Sequence, residues 1–188
     1  MLKIGIIVGS TRPNRVGPQV AAWIEGHIAQ RDDARGHIVD LKEQALPLLD
    51  EPLPAMHGSY QHEHTRAWAA TIESYDALVF VTPEYNQGMP GGLKNAIDFL
   101  FAEWKDKVVG IVSYGIDGGV ESAAQLRRLC ELLAMQVSTA QVALSLHTDF
   151  ENFTVFAPGE SKARDLDGLL DEVTAAGNVS TAPDGSVA

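Results

Sequence analysis

Five short apolar runs, separated by segments with helical spacing, constrain this chain more than any other feature. They are Leu2 to Val8, Gly36 to Leu41, Ala77 to Val81, Val108 to Ser113 and Gln136 to Leu144. Ile6-Ile7-Val8 and Ala77-Leu78-Val79-Phe80-Val81 are apolar on both alternating faces, as parallel strands covered by helices above and below must be. The Gly36 to Leu41 run alternates more and is expected nearer an edge. Between the runs, Val20, Ala21, Ile24 and Ile28 recur at three- and four-residue spacing behind Pro18, which suits the first turn of a helix. Similar spacing predicts helices from about Thr65 to Ser74, Gly91 to Leu100, Val120 to Met135 and Ser161 to Ala175. Strands alternating with helices in this way define an α/β protein built on a five-stranded parallel sheet.

At 188 residues, one domain is expected, spanning 1–176, and residues 177–188 have the composition of a disordered tail. A formal net charge of −11 argues against a nucleic-acid partner, because phosphate backbones are bound by clustered lysine and arginine. No apolar stretch approaches a membrane span. The apolar run that follows Met1-Leu2-Lys3 is too short for a signal-peptide core, so a cytoplasmic protein is expected. Cys130 is the single cysteine and sits among leucines, where it reads as a small hydrophobe. His57, His62 and His64 have poor spacing for a metal site on a helix and read as part of a solvated loop, so no metal is expected. Trp23, Trp68 and Trp104 read as helix-face packing residues.

Two stretches fit neither period. Lys42 to Tyr60 carries Pro47, Pro52 and Pro54 and reads as an irregular connection over the sheet edge. His147 to Glu160 reads as a loop with Phe150, Phe153 and Phe156 spaced by three. These phenylalanines either cover core or meet a second subunit, and the subunit contact is slightly favoured.

The chemistry lies in the loops after the strands, because ligands of open α/β sheets bind outside the carboxyl ends of the strands. Gly9 to Gly17 follows the first run and precedes the first helix, so backbone N–H groups and the positive helix end point at one spot. Ser10 and Thr11 supply hydroxyls, Arg12 and Arg15 supply guanidinium forks and Asn14 can close the turn. That set suits a phosphate, with a plain loop bearing solvated arginines as the alternative. The loop after the third run, Thr82-Pro83-Glu84-Tyr85-Asn86, offers a rigid turn, a flat aromatic and an amide, the mixture that an extended planar heterocycle needs.

Taken together, Gly-Ser-x-Arg after the first strand, Pro-Glu-Tyr-Asn and Pro-Gly-x-Leu-Lys-Asn-Ala-Ile-Asp after the third, and Ser113-Tyr114-Gly115 with Gly118-Gly119 after the fourth resemble the NADPH-dependent FMN reductase family. The resemblance runs from about Lys3 to Leu144, with departures at Asn14 to Gly17 and at Gln87-Gly88. It implies a flavodoxin-like three-layer sandwich with strand order 2-1-3-4-5. Ser10 and Arg12 would hold the FMN phosphate, with Arg15 or the Val16 main chain assisting. Pro83, Glu84, Tyr85 and Asn86 would frame the isoalloxazine, and Ser113, Gly115 and Gly118 would form the third wall.

The activity implied is ping-pong reduction of a quinone, azo compound, free flavin or similar small acceptor by NADPH or NADH. The chemistry is centred on the flavin, so no catalytic side chain is required. A homodimer is implied, with a tetramer as the alternative, and the helix from Gly91 and the Phe150 to Phe156 loop are the candidate contacts. A flavodoxin-type electron carrier and a non-catalytic scaffold are the competing readings.

Overall fold

The computed structural model describes residues 1–180. Strands β1 (Leu2–Val8), β2 (Ala34–Asp40), β3 (Ala77–Pro83), β4 (Val108–Gly115) and β5 (Gln136–Ser145) form one parallel sheet in the order β2-β1-β3-β4-β5. Helices α1 (Gly17–Ile28), α2 (Leu41–Gln44), α3 (Glu63–Glu73), α4 (Gly91–Asp98), α5 (Val120–Leu132) and α6 (Glu160–Ser180) surround it. The five predicted strands and the implied order are present. Leu41 is the exception within β2, because Asp40 accepts a hydrogen bond from the Lys42 N–H and starts α2 there. β3 and β4 each run two residues past their apolar stretch, through Thr82↔Ser113 and Pro83↔Tyr114.

The pleat divides the core in two. Ile4, Ile6, Val8, Val79 and Val81 face α1 and α6, and Ile7, Leu78, Phe80, Val109 and Ile111 face α3, α4 and α5. Both faces are therefore buried, which is why the strands read as continuous apolar runs. Trp68 and Trp104 are fully buried, donating Nε1–H to the Ala96 and Ile97 carbonyls at 2.8 and 3.0 Å. Trp23 is only partly buried and packs edge-on against Phe156. The Cys130 thiol is buried in the α5 core, and desolvation pushes its pKa up to about 12.

Three stretches depart from expectation. α6 continues past Ala175 to Ser180, so residues 177–180 are helical; the rest of the expected tail, 181–188, lies outside the described residues. Gly177 permits this, because a Cβ there would meet the Leu2 side chain at 2.7 Å. The expected loop after β5 folds into a hairpin of β6 (Phe150–Glu151) and β7 (Val155–Phe156). Phe150 and Phe156 pack on each other and on the α1–α6 core, so these two cover core. Between α2 and α3 the chain is largely irregular, as expected, and Asn95 on α4 ties it down. Asn95 accepts from the Leu49 N–H at 2.9 Å and donates to the Pro47 carbonyl at 2.7 Å. Among the described residues, no helix is long and apolar enough to cross a membrane.

At the far edge, β5 bulges between its pairings with Val109 and Ile111, lifting residues 138–140 out of register. Glu172 of α6 catches the bulge, accepting from the Ser138 and Thr139 hydroxyls and from the N–H groups of Thr139 and Ala140. These bonds, led by that from Ser138, hold the Glu172 carboxyl at about 2, below the usual 4.5. A carboxyl depressed on folding contributes stability above its unfolded value and loses it as pH falls through the folded one. The difference in urea midpoint between the wild type and Glu172→Gln should therefore be full above about pH 4.5 and shrink as pH is lowered toward 2.

Candidate active site

In-register pairing places the ends of β1, β3 and β4 side by side, with Val8 opposite Val81, Val81 opposite Val112 and Pro83 opposite Tyr114. The loops that leave these ends enclose a cleft of about 210 Å3. Arg12, Arg15 and Val16 line it from the first loop, Pro83, Glu84 and Tyr85 from the second, and Gly115 from the third. Seven of the residues singled out in the sequence thus meet at one place.

Of the helices that begin at this end of the sheet, α1 and α5 follow the first and third of these loops, and their N-termini differ. At α5 the N-cap is Gly119, and Glu84 reaches across from β3 to cap the helix, its Oε2 accepting from the N–H groups of Glu121 at 2.9 Å and Ser122 at 3.3 Å. Ser122 also donates to the Pro83 carbonyl and bonds the Thr82 hydroxyl, both at 2.9 Å. The positive end of α5 is therefore already neutralised by the chain's own carboxylate. At α1 the N-cap is Val16, which makes no side-chain capping bond among the described residues, and the first turn carries no acidic residue. Its first N–H groups are spent within the chain, Gly17's on the Tyr114 hydroxyl and Gln19's on the Val16 carbonyl, and Pro18 has none, so α1 offers the cleft the positive end of its dipole with no carboxylate to neutralise it.

Arginine reinforces the difference. Arg12 is exposed on the cleft. Arg15 is largely buried and ion-paired with Asp40 through one terminal nitrogen, while its Nε–H is buried without a partner among the described residues. A buried donor left unpaired is costly, and a phosphate oxygen would satisfy it. Together with the uncapped α1, this donor set fits the phosphate of FMN.

Tyr85 stands on a two-residue turn closed by reciprocal bonds, Tyr85 N–H to Gly88 O at 2.9 Å and Gly88 N–H to Tyr85 O at 3.2 Å. Asn86 and Gln87 at its tip have φ of 51° and 62°, the left-handed pair of a type I′ turn. Asn86 sits at the tip of that turn and is not among the residues lining the cleft. Ser10 is fully buried beneath Tyr85, hydroxyl to hydroxyl at 2.6 Å, so it steadies the ring and does not line the cleft. Ser113 is also buried, donating to the Gly118 carbonyl at 2.7 Å. Gly118, with φ of 81°, packs under Ala143, so Ser113 and Gly118 shape the third loop from behind.

Tyr114, Leu146, Phe153 and Thr154 also line the cleft, and Asn14 joins them. Burial raises the Tyr114 pKa, and its hydroxyl accepts the Gly17 N–H. A Cβ on Gly17 would lie 3.0 Å from that hydroxyl, so glycine lets α1 begin this close to β4. Periodicity gave no signal for Leu146, which reaches the site directly after β5, or for Thr154, which reaches it through the hairpin.

A doubly wound parallel sheet with a phosphate-ready helix end and a planar-ring wall at its switch point is a flavodoxin-like nucleotide-cofactor protein. The description of the family "NADPH-dependent FMN reductase" matches residues 2–149. An NAD(P)H-dependent FMN reductase of Nectria sp is 39% identical over 166 residues, covering 85% of this chain and 83% of that protein. A 2-hydroxy-1,4-benzoquinone reductase of Burkholderia sp is 34% identical over 139 residues, covering 70% and 72%. In fold, FerB, a flavoenzyme NAD(P)H:(acceptor) oxidoreductase from Paracoccus denitrificans, superposes with a TM-score of 0.76 at 21% identity, covering 95% of this chain and 98% of that one. The chain belongs to the NADPH-dependent FMN reductase family. It is an oxidoreductase with NAD(P)H as electron donor and FMN as flavin.

Two substitutions test the third loop. Glu84→Ala should cost about 1 kcal/mol, the usual worth of a helix cap, read as a shift in urea midpoint. At Gly119 φ is 71° and a Cβ would lie 2.8 Å from the Tyr114 carbonyl oxygen. Gly119→Ala should therefore cost about 2–5 kcal/mol, from left-handed strain plus overpacking.

Proposed function

We propose that this chain passes hydride from NADPH or NADH to a quinone, azo, free-flavin or similar small acceptor by a ping-pong route, acting in the cytoplasm. Bound FMN supplies the hydride-accepting and hydride-donating ring. The observation that carries the reading is the contrast between the helix ends, with α5 closed by Glu84 and α1 open beside Arg12 and the unpaired Nε–H of Arg15.

In this reading Arg12 and Arg15 hold the phosphate beside the positive end of α1. Pro83, Tyr85 and the Gly115 main chain hold the ring system in the cleft. Ser10 keeps the Tyr85 hydroxyl in place, and Ser113 keeps the third loop folded through Gly118. Backbone N–H groups of that loop would stabilise negative charge developing at the ring edge, and they reach that position already fixed by the sheet. A single cleft serves both substrates, so the oxidised nicotinamide leaves before the acceptor enters. The acceptor class is supported by the relatives, one of them a benzoquinone reductase. As a homodimer the chain would cover Leu48, Leu49, Leu53 and Met56, exposed on the irregular segment that Asn95 holds against α4.

The test begins with FMN titration of the purified protein, followed by anaerobic NADPH and then a quinone. Bleaching of the yellow colour within a catalytic time, with recovery on adding quinone, is expected; slow or absent bleaching would overturn the reading. Arg12→Ala should weaken FMN binding about tenfold or more, the worth of a charge-assisted bond. Arg128→Ala, on the exposed side of α5, should leave it within about twofold. Equal retention in both variants would remove Arg12 from the phosphate site.

A further inference from the structure

The hairpin after β5 is built with unusual care for a surface loop. Its base is anchored in the core, with Phe150 and Phe156 packed at 5.0 Å and Trp23 edge-on to Phe156 at 5.2 Å. Buried Asp149 accepts from the Ser145 N–H at 2.8 Å, and Leu146 donates its N–H to the Gly115 carbonyl at 2.8 Å, which ties the hairpin's root to the third cleft loop. One flank is clamped to α1 by Gln19, which donates to the Thr154 carbonyl at 2.8 Å and accepts from the Phe156 N–H at 2.9 Å.

All this support ends at a strained tip. Asn152 and Phe153 have φ of 50° and 60°. Asparagine tolerates that region, whereas a bulky aromatic residue rarely adopts it. Phe153 is nevertheless placed there, 49% exposed, lining the cleft, with the edge of His147 5.3 Å away. Turn chemistry alone would favour glycine at this position. An aromatic ring kept in an unfavourable backbone conformation at a ligand cleft points to a role for the ring itself.

The position of the hairpin relative to the cofactor loops indicates which ligand it serves. The match ends at residue 149, and the hairpin begins at Phe150. The loops assigned to the shared cofactor, at 12–16, 83–85 and 115, fall inside it. The hairpin, which the 85% of this chain matched by the Nectria relative includes, supplies none of those loops, so its wall is free to face the second ligand, and the named relatives differ in acceptor. We infer that Phe153 is a specificity-determining residue of this site, an aromatic face against which a flat, uncharged acceptor of the quinone class stacks. Tyr85, Tyr114 and Leu146 line the same cleft and add apolar surface suited to such a ring. The inference rests on the reductase reading above and adds the acceptor subsite to it.

The test uses the FMN-loaded full chain, with 1,4-naphthoquinone titrated in the absence of nicotinamide and followed by the flavin absorbance. Phe153→Gly removes the ring and relieves the tip, so quinone Kd should rise about tenfold, equivalent to about 1.4 kcal/mol. FMN affinity should stay within twofold, and Tm should be unchanged or higher. Phe153→Trp should keep quinone Kd within about threefold of wild type, as expected where stacking is the interaction. A quinone Kd unchanged in Phe153→Gly would overturn the inference, as would a parallel loss of FMN affinity, which would assign the ring to the cofactor, or a lowered Tm, which would assign it to the fold. Failure of the wild type to bind FMN would strike the reductase reading itself, and that titration is read before any variant is compared.

Discussion

Register in the parallel sheet is the constraint on which the rest depends. Once β1, β3 and β4 pair with Val8, Val81 and Val112 level, the chain must leave the same end of the sheet three times, β3 and β4 two and three residues beyond β1. The loops at Ser10 to Val16, Pro83 to Gly88 and Gly115 to Gly119 have no other place to go. A slip of one residue would turn Leu78 and Phe80 into the wrong layer and shift Pro83 from its place opposite Tyr114. Burial on both faces makes such a slip prohibitive, so the geometry of the cleft is inherited from the packing of Ile4, Ile6, Val79, Phe80 and Val109.

Within that frame, one carboxylate decides which helix end is available. Glu84 has the sequence signature of a ligand-facing residue, and it does border the cleft. Its side chain is nonetheless committed to the first turn of α5. This removes a competing anion site beside the cleft and fixes the third loop against β3, leaving the α1 end, with Arg12 and the unpaired Arg15 Nε–H, as the positive pole of the cleft. An acidic chain of net charge −11 has to hold an anion by such local arrangement, against its own long-range field.

Several residues that look alike in sequence are divided by this logic. Ser10, Asn86, Ser113 and Gly118 carry the right chemistry in the right loops, yet each is consumed by holding a cleft residue or a turn in position. Hydroxyls and amides near a site are ambiguous in one dimension, because supporting and ligand-facing roles require the same donors and acceptors. The phenylalanines after β5 were ambiguous for a different reason. A spacing of three suggested one shared surface, but alternation in a short hairpin sends Phe150 and Phe156 into the core while the turn holds Phe153 over the cleft.

What the amino-acid sequence determined by itself was the α/β class, the strands and most helix positions, the family resemblance and the loops that form the site. These follow from period, burial pattern and local turn chemistry, which are written into neighbouring residues. Only the tertiary structure decided that Glu84 caps a helix 37 residues away, that Arg15 is shared with Asp40, that α6 continues over Leu2, and that a hairpin after β5 borders the cleft. Such contacts join residues distant along the chain, and their partners are chosen by which surfaces the folded sheet brings together, a quantity that no local pattern encodes.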